Sequence, residues 1–119
     1  MNEKKANPEL QKLIEMLRRT SAKEDVGTWK CIAATLAGST KKRPAVNISR
    51  INRYAQENEV IVIPGKVLAS GELDKAVQVA AYQYSAEARA KIEQAKGKAL
   101  TLFELMEKNP KAKDVRILG

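Results

Sequence analysis

Histidine is absent from this 119-residue chain, and cysteine occurs once, at Cys31. The first absence removes the commonest general base and a favoured metal ligand. The second excludes an internal disulfide, and a zinc site ordinarily needs several Cys or His ligands. Cys31 is read as a small buried apolar residue. Aromatic side chains are few: Trp29, Tyr54, Tyr82, Tyr84 and Phe103. The core must therefore be largely aliphatic, and Trp29 is expected inside it rather than on a base-stacking surface. No stretch approaches the roughly eighteen apolar residues of a membrane-crossing helix. The opening residues, MNEKKANPEL, lack the apolar run of a signal peptide. The expectation is a cytoplasmic protein with no membrane partner.

Catalytic constellations are also missing. The acidic pairs Glu24-Asp25 and Glu57/Glu59 fall in polar breaks, and no compact carboxylate cluster suggests a magnesium site. No serine sits in a GxSxG elbow. The PGK at 64–66 lacks the longer glycine-rich loop that cradles a nucleotide's phosphates. An enzyme is not expected, and neither is a cofactor, a metal or a small-molecule substrate.

What the chain has is positive charge. Lys and Arg number 22 against 14 Asp and Glu, a net charge of +8. Such an excess speaks of partners rather than of fold, and nucleic acid is the first candidate. The excess is localised: residues 38–66 hold Lys41, Lys42, Arg43, Arg50, Arg53 and Lys66 against Glu57 and Glu59 alone. No acid occurs between Lys41 and Arg53, whereas a merely solvated face usually mixes both signs. Arg89, Lys91, Lys96 and Lys98 form a weaker second set, diluted by Glu87 and Glu93. Gly97 and the PGK turn would each let a phosphate come close to the backbone.

Asn7 caps a helix with Pro8 at its first position, and Leu10, Leu13, Ile14 and Leu17 form its apolar stripe. A polar break at 21–25 precedes a second helix to Ala37, ended by Gly38 at positive φ. GSTKKRP is an exposed loop. Asn47 caps a third helix, about 48–57, with Val46 folded back on Ile51 and with Arg50 and Arg53 on its outer face. Residues 60–63 read as a buried strand that continues past a bend at Pro64-Gly65. After a turn at Gly71 and Asp74, a strand covers about 76–84. Ser85 caps a helix ending at Gly97, a short strand follows at 98–100, and Thr101 with Glu104 forms a capping box for a helix at 102–108. A final strand is expected at 115–118. The length suits one domain, 1–119, with a mainly helical part to 58 and a mixed α/β part from 59.

The succession Ser49-Arg50-Ile51, the apolar strand to Gly65, the Ser85-capped Ala/Arg/Ile helix, Gly97 and Glu104-Leu105 resembles the archaeal and eukaryotic L-eighteen-e family, within the L-fifteen/L-eighteen-e group of large-subunit ribosomal proteins. The likeness runs through nearly the whole chain from about Leu10, and its specificity lies in the order of the motifs. The eukaryotic members' basic N-terminal extension and longer basic tail have no counterpart here, so an archaeal member is expected. Where relatives often have Gly-Gly, this chain has Lys96-Gly97. The resemblance implies an irregular layered ββα-type core with the N-terminal helices packed on it. It also implies a structural, non-catalytic role in the large ribosomal subunit, with large-subunit (23S) rRNA and neighbouring ribosomal proteins as partners. The residues it points to for RNA contact are Lys41, Lys42, Arg43, Arg50, Arg53 and Lys66, with Lys96 and Lys98 secondary. The rival expectation is a free-standing basic protein that coats DNA or RNA.

Overall fold

The computed structural model describes residues 7–39, 41 and 43–119. Its N-terminal helices follow from local chemistry. Asn7 Oδ1 accepts the amides of Glu9 at 2.9 Å and Leu10 at 3.4 Å and so opens α1 (Pro8–Glu24). The expected polar break at 21–25 is not there. Ser21 is buried inside the helix with its hydroxyl donating to the carbonyl of Val26, and the chain reverses only at Asp25, in the left-handed region at φ 57°. α2 (Gly27–Ala37) buries Trp29, Ile32, Ala33 and Leu36. Trp29 is wholly enclosed, and its indole Nε1 donates to the carbonyl of Pro110 at 2.7 Å. Gly38 is extended, φ −75° and ψ −173°, so α2 ends without a left-handed cap. Cys31 is exposed, contrary to the sequence expectation, because it lies outside the Trp29–Leu36 stripe.

The remaining elements alternate. β1 (Ala45–Asn47) leads into α3 (Ile48–Tyr54), then β2 (Val60–Leu68), β3 (Gln78–Tyr84), α4 (Ala86–Gln94), β4 (Lys98–Thr101), α5 (Leu102–Lys108) and β5 (Val115–Ile117). All strand pairs are parallel, in the order β1-β2-β3-β4, with β5 also on β2. β2 is thus buried on both faces, which is why it reads as VIVIPGKVL with almost no alternation. β1 escaped sequence reading because three residues carry no periodic signal. α3 stops at Tyr54, with Ala55 already extended, and Asn47 makes no side-chain cap.

β5 and β1 lie end to end along one side of β2. β5 pairs with Val60–Val62 and β1 with Lys66–Leu68. Between them the Leu118 amide donates to the Val62 carbonyl and the Lys66 amide to the Pro44 carbonyl. The Pro64-Gly65 site is a bulge inside a continuous strand rather than a turn. The register jumps there from Ile63↔Ala81 to Lys66↔Gln83. Pro64 has no amide to offer the ladder, and a Cβ on buried Gly65 would collide with the carbonyl of Pro44.

No helix joins β2 to β3. Residues 69–77 instead form an extended strap along α3. Ser49 N donates to Ser70 O, Asp74 N to Asn52 Oδ1 at 3.1 Å, and Asn58 N to Ala76 O. The sheet separates two apolar clusters. Val46, Ile48, Ile51, Ile61, Ile63, Val67, Val79, Ala81, Ala88 and Ile92 fill one side beneath α3 and α4. Leu13, Leu17, Trp29, Ile32, Leu36, Val62, Ala80, Leu100, Leu102 and Leu105 fill the other beneath α1, α2 and α5. The result is a three-layered mixed α/β fold with the N-terminal helices packed on it, as expected.

Candidate nucleic-acid interface

α3 buries Ile48 and Ile51 on the sheet, so Arg50, Arg53 and Tyr54, at offsets of three and four, share the outward face. Both arginines are exposed. Arg50 is held in place: Nη2 donates to the Gly119 carbonyl at 3.1 Å, and Cζ lies 5.8 Å from the Tyr54 ring centroid. Tyr54 is itself 48% exposed. The end of α3 is fixed from below, where Arg116 Nη1 donates to the Tyr54 carbonyl at 2.6 Å and Nε pairs with Glu59 at 3.1 Å.

Lys66 is exposed in register with Ala45 and Gln83, both also exposed. Its neighbour Val67 and the paired Val46 face the α3 cluster, so Lys66 and Ala45 project to the other side of the sheet. Arg43 turns the same way and is half drawn in. Its Nη2 donates to the Leu36 carbonyl at 3.1 Å, its Cζ lies 5.6 Å from the Tyr82 ring, and Nε is buried without a partner. Lys41 is exposed, and Lys42 lies outside the described residues. The cations therefore wrap both sides of the edge where β1 continues the line of β5.

Lys96 and Lys98 are elsewhere. β4 is the opposite edge strand, and Lys98 is level with Val60 at its amino end, diagonally across the sheet from β1. Both are exposed. It is Lys96, at φ 71°, that takes the left-handed position in this turn. A Cβ on Gly97 would collide with the Val77 carbonyl, so the space that glycine frees is filled by the protein's own backbone rather than offered to a phosphate. Of the rest of the second basic set, Lys91 is tied internally, while Arg89 is exposed but lies over an aromatic ring. Arg89 lies 4.8 Å from the Tyr84 ring, and Lys91 Nζ donates to the carbonyls of Ala69 and Gly71 at 2.8 and 2.6 Å.

Two ion pairs occur among the described residues, Lys111–Glu24 and Arg116–Glu59. Lys41, Arg43, Arg50, Arg53, Lys66, Lys96 and Lys98 thus have no Asp or Glu side chain within ion-pair distance there. Among the described residues no His, Cys, Asp and Glu group could hold a metal, and no helix is long and apolar enough to cross a membrane. Sequence reading missed Tyr54 and Arg116. Tyr54 had a local signal, its spacing of four from Arg50. Arg116 had none, being 62 residues from the carbonyl it holds.

The chain is 49% identical over 114 residues to the large ribosomal subunit protein eL18 of Methanothermobacter thermautotrophicus, covering 96% of this chain and 94% of that protein. It is 49% identical to eL18 of Methanosphaerula palustris, with 97% and 95% covered. It is 43% identical to eL18 of Archaeoglobus fulgidus, with 97% and 98% covered. These are ribosomal proteins and not enzymes. The family model described as ribosomal protein 60S L18 and 50S L18e matches residues 1–119, so the resemblance read from the motifs holds and the chain belongs to that family.

Proposed function

We propose that this protein is a structural constituent of an archaeal large ribosomal subunit, in the cytoplasm, where it binds and stabilises folded 23S rRNA through phosphate contacts beside neighbouring ribosomal proteins. The observation that carries this reading is the run of exposed cations around the β1 edge, without Asp or Glu partners among the described residues: Lys41, Arg50, Arg53 and Lys66, with Arg43 partly withdrawn. Each such side chain that meets a phosphate releases condensed counterions, and the arginine fork suits a phosphate's oxygens. Recognition of this kind follows the shape and backbone of folded RNA more than its base sequence.

Three features support α3 as the principal element. Its base is tied by Arg116, its flank by the 69–77 strap, and Arg50 by Gly119. A charged ridge held this way loses little side-chain freedom on binding. We read 1–119 as a single domain, since β1 of the mainly helical part (to 58) completes the sheet of the mixed part (from 59). Lys42 joins the ridge by sequence alone. Lys96 and Lys98 form a separate, lesser contact across the sheet.

The test is sedimentation of a cell extract through a sucrose gradient in high salt. Cosedimentation with the large subunit is expected. Recovery in the soluble fraction, with duplex DNA bound as tightly as rRNA, would replace this reading with that of a free nucleic-acid-coating protein.

A further inference from the structure

We infer that Tyr54 is a stacking platform for one unpaired rRNA base, so that the α3 face reads a splayed nucleotide as well as backbone phosphate. This rests on the rRNA-binding reading above.

The scarcity of aromatics makes the position of Tyr54 informative. Trp29 is enclosed, and Tyr82 and Tyr84 are partly buried beneath Arg43 and Arg89. Phe103 is 43% exposed, but it lies with Met16 among Lys12, Glu15 and Arg19, a surface of mixed sign. Tyr54 alone combines exposure of about half the residue with a depression whose other lining residues include two cations and no acid. Ser49, Arg50, Arg53 and Tyr54 line one shallow depression on α3.

The geometry is that of a built platform. Arg50, clamped by the Gly119 carbonyl, stands near the ring at 5.8 Å. Arg116 pins the Tyr54 backbone. The ring is therefore held at the end of a short helix whose own carbonyl is tied down, with its exposed half turned to solvent. A guanidinium against an aromatic ring is favourable in itself and leaves ring surface for a third planar group. A base in a stacked duplex cannot present its face to such a ring, whereas a bulged, looped or terminal nucleotide can. Arg53 and the free donors of Arg50 then lie beside the platform, where that nucleotide's flanking phosphates must run. Stacking on one aromatic side chain contributes about 1–3 kcal/mol.

The experiment titrates the full chain against transcribed large-subunit rRNA over a range of KCl concentrations, for wild type, Tyr54→Phe, Tyr54→Leu and Tyr54→Ala, each first checked for an unchanged melting temperature. Tyr54→Phe is expected to bind like wild type. Leu and Ala are expected to weaken binding by roughly 10- to 100-fold, with the salt slope unchanged because no charge is lost. Base-specific chemical probing is expected to show one nucleotide protected by wild type and Tyr54→Phe and exposed with Ala. If wild type binds rRNA and all variants bind equally, the platform is wrong and the phosphate reading stands. Full affinity in Tyr54→Leu would mean a merely apolar contact, and a shallower salt slope in Tyr54→Ala would mean that the ring only positions Arg50; either overturns stacking. If wild type prefers rRNA to no other polyanion, the underlying reading fails first.

Discussion

The ammonium of Lys75 donates to the backbone carbonyl of Asn52 at 2.6 Å, and the same nitrogen reaches the carbonyl of Ala55 at 2.9 Å. A cation from the 69–77 strap thus supplies donors to carbonyls that the end of α3 leaves free, where positive charge also complements the helix dipole. Lys91 is an internal fastener of the same kind, and Arg116 holds the Tyr54 carbonyl likewise. Net charge therefore overstates the charge available to a partner. Lys75→Met is expected to lower unfolding free energy by about 1–3 kcal/mol, since hydrogen bonds to a charged group are among the stronger ones. Urea denaturation measures the loss, and the salt slope of rRNA binding should stay where it was.

Replacing Arg50 and Arg53 together with Gln should do the reverse. The urea midpoint should move little, because both side chains are exposed and Ile48 and Ile51 hold the helix. The slope of log affinity against log salt should become shallower by about 1.5 units, the value for two lost phosphate contacts. An unchanged slope would move the interface away from α3.

Gly65→Ala tests the bulge. A methyl group there meets the Pro44 carbonyl, which is fixed backbone rather than the tip of a flexible side chain. Relief requires β1 to draw away from β2 at the Pro44–Lys66 hydrogen bond. The expected cost is about 1–3 kcal/mol, as for other overpacked sites. Faster amide exchange at Lys66 would localise it, and wild-type stability would show that the strand bends more freely than this geometry implies.

Tyr84 gives the chain an alkaline limit. Its hydroxyl stands 2.6 Å from the carbonyls of Val79 and Leu100, and its single proton can serve one of them at a time. Burial drives the phenol well above its ordinary range, against the opposing pull of the Arg89 charge. The folded state therefore holds this proton more tightly than the unfolded state. The resulting stabilisation is complete below about pH 10, the ordinary phenol value, and is lost as pH rises toward the folded value. In an ultraviolet titration the slowest phenolate to appear should vanish in Tyr84→Phe, and stability above pH 10 should fall less steeply in that variant.

Much of the fold was legible because its signals are local. Asn7, Ser85 and the Thr101–Glu104 capping box start their helices as read, and the apolar run of 60–63 is a buried strand. The errors lie where contacts beyond the immediate neighbours decide. Ser21 looked like a break, yet its hydroxyl is satisfied by Val26 within the turn that follows. Gly97 looked like an opening, yet Val77 fills it. Arg43 looked as free as Lys41, yet α2 and Tyr82 draw it inward. Charge can be counted along a chain, but whether a cation faces solvent depends on which carbonyl comes within reach, and that is a property of the packed layers.

The end-to-end placement of β5 and β1 has a consequence for biogenesis. Arg50 is translated 69 residues ahead of the glycine whose carbonyl seats it. Until β5 is made, the lower half of β2 lacks its outer neighbour and Arg116 cannot tie the end of α3. A nascent chain that has not reached Gly119 thus carries its whole basic block without the anchors that orient it, and Arg50 and the end of α3 gain them only once β5 and Gly119 have been made.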